Sequence, residues 1–355
     1  MPRIGYCLLL VLALAAGHAA AEPPAALRRG VNITNWFRYP QSRDPAALRA
    51  YLDDAAVERL RRAGFTFVRL AVQSDLLDEP GPLTDAIGRL ERHGFAVVVA
   101  LFPAGWQPEE QPERLLASWR ALAPLLRSFD PSRTVPEVAN EPVFTDHEAA
   151  WAALQHEALA VIRSILPTNQ IVLTGADWGS IRGLRALAPE PDPNVIYSFH
   201  FYDPAEFTSL AAYRAGVDRE AMARLPFPAS DQLACGATAG ATMDQQTAGL
   251  IRYYCSFRWD GAMLAARIAE AGEWARRNHA NVIAGEFGAS VRLQPDARMA
   301  WLAAVRTACE WQGFGWALWG YDDSMGFAAH PPAVTDRFDT KILTALGLPD
   351  SLYGK

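Results

Sequence analysis

The sequence predicts a single (β/α)8 barrel, on three observations. Short apolar runs alternate eight times with amphipathic stretches along the chain. The runs are nearly continuous in apolar residues, as at Phe95–Leu101, which is typical of parallel strands buried on both faces. Gly64, Gly94 and Gly313 each stand between a helical stretch and the next apolar run, where a helix C-cap is needed. A doubly wound open sheet is the alternative for this element order.

The individual strands and helices are predicted from the spacing of apolar residues along the chain. The amphipathic stretches space their apolar residues by three and four, as in Leu115, Leu116, Trp119 and Leu122. The predicted strands are 30–35, 65–72, 95–102, 134–139, 170–175, 194–201, 281–286 and 314–319. The predicted helices are 53–63, 83–93, 112–128, 147–165, 180–188, 261–279, 297–311 and 337–346.

Composition narrows the class of partner. The chain has 355 residues, of which 50% are hydrophobic and 20% are charged, so it can bury a large core. Its formal net charge is -6, and it carries no block of lysine and arginine. Nucleic acids and anionic membrane surfaces are therefore not expected to bind it.

Residues 1–21 have the pattern of a secretory signal peptide. Arg3 supplies the positive start, Leu8–Ala16 is an apolar run too short to cross a bilayer, and Ala19–Ala21 resembles a cleavage site. We expect cleavage after Ala21 and a secreted or periplasmic protein with no membrane attachment. The barrel is then a single domain over 22–355, with the rim insertion described next.

The stretch 203–260 interrupts the alternation between the sixth strand and the sixth helix. It is far longer than an ordinary barrel loop, and its many aromatic residues argue against disorder. We therefore expect a folded excursion on the barrel rim. Cys235 and Cys255 lie within it and are the natural disulfide pair in an exported protein, whereas Cys309 falls in an apolar helical run and is expected in the core.

Two acidic residues end apolar strands. Glu141 follows Val138-Ala139-Asn140, and Glu286 follows Ile283-Ala284-Gly285. The carboxyl ends of barrel strands form the rim on which barrel enzymes build their active sites. Carboxylates from the fourth and seventh strands would therefore face one pocket, as glycoside hydrolysis with one acid/base and one nucleophile requires.

Six segments, taken together, resemble the family 5 glycoside hydrolases, which include many cellulases and β-mannanases. In order along the chain they are Arg29-Gly30-Val31-Asn32, Phe67-Val68-Arg69-Leu70, Ala139-Asn140-Glu141-Pro142, Ser198-Phe199-His200-Phe201-Tyr202, Gly285-Glu286-Phe287-Gly288 and Gly315-Trp316-Ala317-Leu318-Trp319. The resemblance extends from Gly30 to about Trp319.

The resemblance implies a role for each matching residue. Glu141 would be the acid/base and Glu286 the nucleophile of a retaining double displacement. The others would bind substrate or support the pair: Asn140 at the sugar 2-hydroxyl, Arg69 holding Glu286 ionised, Tyr202 donating to Glu286, His200 lining the same subsite and Trp319 as the floor under the reacting sugar.

Trp36 and Trp178 are the first candidates for stacking platforms in further subsites. One place departs from the family. Many members have a histidine just after the third strand, where this chain reads Leu101-Phe102-Pro103-Ala104-Gly105. His93 precedes that strand and would lie at the other end of the barrel.

We therefore expect a monomeric retaining β-glycosidase that acts on a β-linked glucan, with endo-β-1,4-glucanase activity first. β-Mannanase and β-1,3-glucanase activities are alternatives on the same fold. A non-catalytic carbohydrate-binding barrel is the alternative from another class, although it would need neither carboxylate. No cofactor is expected. The sequence contains no metal-binding motif, which disfavours a metal-dependent hydrolase.

Overall fold

The computed structural model describes residues 25–103, 105–329 and 338–349. The predicted signal peptide at 1–21 lies outside these residues. Eight parallel strands close in sequence order into a barrel, so the (β/α)8 prediction is confirmed and the open sheet is excluded. The strands are β1 (Arg29–Phe37), β2 (Phe67–Gln73), β3 (Ala96–Phe102), β4 (Thr134–Glu137), β5 (Ile171–Thr174), β6 (Val195–Phe201), β7 (Val282–Phe287) and β8 (Gly315–Trp319).

Helices surround this barrel. They are α1 (Pro45–Ala50), α2 (Asp54–Arg62), α3 (Gly81–Arg92), α4 (Pro112–Leu126), α5 (Glu148–Ile165), α6 (Ala176–Gly179), α7 (Ile181–Ala186), α8 (Ala205–Thr208), α9 (Arg219–Met222), α10 (Gln232–Gly240), α11 (Gln245–Ser256), α12 (Gly261–Asn278), α13 (Pro295–Trp311) and α14 (Thr340–Ala345). Gly64, Gly94 and Gly313 have φ values of 95°, 86° and 77°, the left-handed conformation that ends a helix before the next strand. None of the described helices is long and apolar enough to cross a membrane.

Strand alternation sorts side chains between the barrel interior and the helical layer. In β2, Val68, Leu70 and Val72 pack outward against the helices, while Phe67 and Ala71 point inward. Phe67 belongs to an apolar layer that closes the bottom of the barrel. Its ring leaves no room beside Gly30, where an added Cβ would lie 2.2 Å from Phe67 Cζ.

Polar residues fill the interior above that apolar layer. Arg69 lies in the middle of β2, in register with Asn32 of β1, and both are fully buried. Glu137 of β4 and Glu286 of β7 are buried at the same level. A buried charge is tolerated only when it is paired and hydrogen-bonded, so this layer is where the chemistry of the molecule is concentrated.

The excursion at 203–260 is folded, as expected, and is helical. It contains α8, α9, α10 and α11 before the chain returns through α12. Aspartate side chains cap the last four of these helices at their first turns: Asp218, Asp231, Asp244 and Asp260 accept hydrogen bonds from the backbone N–H groups of Glu220, Leu233, Thr247 and Met263. A disulfide joins Cys235 of α10 to Cys255 of α11, and Cys309 is buried as a free thiol.

Candidate active site

Glu141 and Glu286 face each other across the barrel mouth. Glu286 ends the apolar run of β7 and is 2% exposed, whereas Glu141 lies in the loop after β4 and is less buried. One carboxylate oxygen of each lies within 4.8 Å of the other and of a His200 ring nitrogen. Such a spacing brings both carboxylates within reach of one glycosidic bond.

Arg69 holds Glu286 from below. Its Nη1 donates to Glu286 Oε1 at 2.6 Å, while Nε and Nη2 donate to the two oxygens of Glu137, each at 2.6 Å. Burial and the nearby charge of Glu141 raise the pKa of the Glu286 carboxyl, and the charges of His200 and Arg69 offset only part of this rise. Arg69 therefore favours the ionised carboxylate that a nucleophile needs.

Glu137, which the strand-end pattern does not include, makes the bidentate pair with Arg69. The sequence does contain a sign of this role, because Glu137 is an acidic residue inside an apolar strand. Like Arg69 in β2, it lies on the face of its strand that points into the barrel. A buried arginine and a buried glutamate that both point into the barrel each need an oppositely charged partner, and here they form an ion pair with each other.

His200 in β6 and Tyr202, just after β6, contact the carboxylates of Glu141 and Glu286. Tyr202 donates its hydroxyl hydrogen to Glu286 Oε2 at 2.8 Å. Burial, together with the charges of Glu286 and Glu141, raises the pKa of Tyr202 well above its usual value, so the phenol remains a donor. His200 Nδ1 lies 2.9 Å from Glu141 Oε1 and 3.4 Å from Glu286 Oε2.

Burial lowers the pKa of His200, but Glu286 and Glu141 raise it by more, so the net shift is upward. His200 thus carries a positive charge more readily than a free histidine and links the two carboxylates electrostatically. Glu141, His200 and Glu286 are also the one group of three potential metal ligands among the described residues. Arg69 and Tyr202 already donate to both oxygens of Glu286, which leaves that carboxylate poorly suited to a cation.

Asn140 is fixed by Arg69. Its Oδ1 accepts from Arg69 Nη2 at 2.9 Å, which turns the amide NH2 group away from the arginine and leaves it as a donor. Asn140 directly precedes Glu141, so this donor lies beside the carboxylate pair.

Trp319 lies at the mouth, in a small cluster with Ala71, Ala100 and Phe102. Its ring stacks on Phe102 with centroids 6.1 Å apart, and its peptide bond to Gly320 is cis. Phe102 is the last residue of β3, directly before the position where the resemblance leads us to expect a histidine. The guanidinium of Arg38 lies 4.6 Å from the Phe102 ring centroid and 5.3 Å from that of Trp319. Arg38 therefore lies beside the subsite formed by Phe102 and Trp319, where the expected histidine is missing.

The two proposed tryptophan platforms have different outcomes. Trp178 is 55% exposed in α6, the short segment directly after β5, and its backbone N–H donates to Pro142 O at 3.1 Å, which ties it to the loop carrying Glu141. The prediction for Trp36 is wrong. Its ring is fully buried against Phe37 and Tyr51, and Nε1 donates to Leu48 O at 2.7 Å, so no face is open to a sugar.

The family model for cellulases (glycosyl hydrolase family 5) matches residues 28–323. The chain belongs to this family. The family 5 resemblance and the barrel fold are thereby confirmed.

Individual relatives of this family 5 chain are distant. It is 24% identical to Endoglucanase 3 of Fibrobacter succinogenes over 332 residues, covering 83% of this chain and 49% of that protein. It is 24% identical to Endoglucanase H of Acetivibrio thermocellus over 353 residues, covering 93% of this chain and 34% of that protein. The chain thus spans half or less of the length of these two curated relatives.

Among solved structures, endoglucanase Cel5A of Thermotoga maritima superposes with a TM-score of 0.72 at 24% identity, covering 90% of this chain and 97% of that one. Complexes of that Cel5A with mannotriose and with cellobiose have been described. At this identity the superposition supports the fold alone.

Proposed function

We propose that the protein is a retaining β-glycoside hydrolase that cleaves a β-linked glucan, with endo-β-1,4-glucanase activity first. The observation that carries the proposal is the facing pair Glu141 and Glu286, whose oxygens approach within 4.8 Å. Retaining enzymes hold their two carboxyl groups about 5–5.5 Å apart, whereas inverting enzymes need about 6.5–9.5 Å to admit a water. The endoglucanase relatives favour a glucan substrate.

In the first step, Glu286 attacks the anomeric carbon of the bound sugar. The bond from that carbon to the glycosidic oxygen breaks, and Glu141 gives its proton to the departing oxygen. Arg69 and Tyr202 hold the two oxygens of Glu286 in place for this attack. The Asn140 amide is available to donate to the sugar 2-hydroxyl, a contact that strengthens in the transition state.

In the second step, Glu141 takes a proton from a water molecule, whose oxygen attacks the anomeric carbon as the bond from that carbon to Glu286 breaks. Glu141 must therefore exchange a proton in both directions. His200 contacts it at 2.9 Å and fixes its orientation throughout. Trp319 and Phe102 provide the apolar surface under the reacting sugar.

β-Mannan is the second candidate substrate. It is favoured by the T. maritima structures, in which a protein of this fold holds mannotriose as well as cellobiose. Arg38 and Phe102 lie together beside the subsite where the expected family histidine is missing. This altered subsite bears on whether the enzyme prefers glucan or mannan. Because residues 1–21 have the signal-peptide pattern, we place the reaction outside the cytoplasm.

Reducing-sugar release from a panel of β-1,4-glucan, β-1,3-glucan and β-mannan tests the function. The wild type should act best on β-1,4-glucan, and Glu286→Ala should be inactive on all three. Glu113→Ala, which removes an exposed glutamate at the start of α4, is the matched control and should retain activity. A wild type that releases sugar from none of the three contradicts the proposal.

Azide separates the roles of the two glutamates on an aryl β-glycoside with a good leaving group. In Glu141→Ala the covalent intermediate should still form, and azide should release it as the β-azide. In Glu286→Ala azide can only attack the substrate directly and should give the α-azide. The reverse pair of products would mean that the two roles are exchanged.

A further inference from the structure

Exposed aromatic side chains are concentrated on the helical excursion. The large aromatic residues with exposed side chains in the described part of the chain are Tyr39, Trp178, Tyr213, Tyr253, Phe257 and Trp311. Tyr213, Tyr253 and Phe257 belong to the excursion and are 60%, 54% and 45% exposed. A cluster of exposed rings is costly in water and commonly marks a binding surface.

These rings line two of three adjoining cavities, which together form a groove beside His200 and Tyr202. A cavity of about 480 Å³ begins at His200 and Tyr202 and ends at Arg267 and Glu270 of α12. A second cavity of about 390 Å³ starts at the same two α12 residues and runs along Tyr253 and Phe257. A third, of about 440 Å³, shares Tyr253 with the second and ends at Tyr213 and Gln246.

The chemistry of this groove suits a sugar polymer. Tyr253 and Phe257 lie edge to face with centroids 4.9 Å apart, so their outer faces form an angled apolar wall. Arg267 and Glu206 flank that wall, already oriented by Asp203 at 2.9 Å and by the Tyr213 hydroxyl at 2.6 Å. Sugar rings present apolar C–H faces edged by hydroxyl groups, which aromatic faces and fixed charged groups bind together.

We propose that this groove, from Arg267 to Tyr213, binds sugar units of the same β-glucan chain that reaches Glu141 and Glu286. The occupant is a polysaccharide chain because the cavity that shares Arg267 and Glu270 with this groove is also lined by His200 and Tyr202, which contact Glu141 and Glu286. The proposal rests on the proposed glucanase function and adds to it a preference for long substrates. The Cys235–Cys255 disulfide anchors the wall, since Cys255 lies between Tyr253 and Phe257 on the chain.

The test compares a long and a short substrate. The double variant Tyr253→Ala/Phe257→Ala should lower kcat/KM on soluble β-1,4-glucan about tenfold, because each lost ring contact costs about two- to tenfold. On an aryl β-cellobioside, which is too short to leave the catalytic pocket, kcat/KM should not change. Trp311→Ala removes an exposed ring on α13 and is the matched control, with both values unchanged. Unchanged kcat/KM on the polymer, or an equal loss on both substrates, overturns the proposal.

A binding measurement tests the groove independently of catalysis. It remains informative even if the wild type hydrolyses no β-glucan, a result that would refute the proposed function. The wild type should be retarded in native gels containing soluble β-glucan or β-mannan, and the double variant should migrate freely. Equal retardation of wild type and double variant, or no retardation of the wild type by either polymer, overturns the groove.

Discussion

Arg69 holds the centre of the site together because it serves two carboxylates at once. Its guanidinium is fully buried and donates to Glu137 and Glu286 as well as to the amide oxygens of Asn32 and Asn140. Every member of this network lies inside the barrel, where an unpaired charge is expensive. The positions of Glu286 and Asn140 therefore depend on Glu137, a residue that should never touch substrate.

Glu137→Gln tests this dependence. It replaces one of the two carboxylates that pair with the buried Arg69 by a neutral amide, and breaking a buried ion pair costs about 3–5 kcal/mol of unfolding free energy. Asp75→Asn is the control, because it breaks an exposed pair with Arg43 and should cost no more than about 1 kcal/mol. Chemical denaturation measures both, and equal losses would contradict the central role of the buried pair.

His200 should make stability depend on pH. Its pKa is raised above 6.5 because Glu286 and Glu141 face it from β7 and the β4 loop and outweigh its burial and the charge of Arg69. A raised pKa stabilises the fold fully below the unfolded value near 6.5, and this stabilisation is lost as the pH rises through the folded value. The unfolding free energy of wild type minus that of His200→Gln should therefore decrease from pH 6 towards alkaline pH. A difference that grows with pH would contradict the shift.

At the scale of elements, β1 shows where sequence reasoning fails. Regular alternation from Asn32 predicts that Trp36 points into the barrel mouth. The pairing of β1 with β2 shifts register between Ile33 and Phe37, and after the shift Trp36 packs outward under α1. A bulge of this kind re-aims side chains and leaves no signal in a hydrophobic pattern.

The short segment α6, directly after β5, exposes Trp178, whereas β1 buries Trp36. Asp177 and Trp178 have φ values of 56° and 60°, a left-handed conformation that costs a non-glycine residue free energy and is often kept for function. Trp178→Ala should lower kcat/KM on β-glucan with little change in unfolding free energy. Trp36→Ala should instead cost about 3–5 kcal/mol of stability, as large-to-small core substitutions do. Activity assays with thermal unfolding separate the two, and a stability loss at Trp178 would assign it to packing.

The sequence predicts that the excursion is folded, but it does not predict its four helices. Its helices are short, between 4 and 12 residues, so each shows too few turns for a clear period. The stronger signal was the recurring aspartate at Asp218, Asp231, Asp244 and Asp260, each followed by a helix. Capping residues mark helix starts even where the period is too short to read.

Peptide mapping under non-reducing conditions tests the disulfide between α10 and α11. One peptide pair joined through Cys235 and Cys255 is expected, with Cys309 as a buried thiol that reacts only after unfolding. Replacing both bridged cysteines by serine should cost roughly 3 kcal/mol in the chain-entropy model. A bridge from either residue to Cys309 would refute the pairing.

For the whole molecule, the barrel was predictable because closing eight β/α units imposes a repeated pattern on the sequence. The strands are mostly apolar runs, so the two glutamates at strand ends stand out against that background. The internal layer was not predictable in the same way. Arg69, Asn32 and Glu137 are far apart in sequence and come together only through the registers of β1 to β4.

The internal polar layer sets the stereochemical outcome of the proposed reaction, and this outcome can be measured directly. Arg69 draws Glu286 inward from β7, and His200 bridges Glu286 to Glu141, so the barrel holds the two carboxylates too close together for an intervening nucleophilic water. The newly formed reducing end should therefore retain the β configuration. Proton NMR of the anomeric signals in the first minutes of hydrolysis, before mutarotation, should show the β anomer accumulating ahead of the α anomer. Glu286→Ala should produce neither signal. An initial excess of the α anomer would establish inversion, with Glu286 acting as a base on water rather than as a nucleophile.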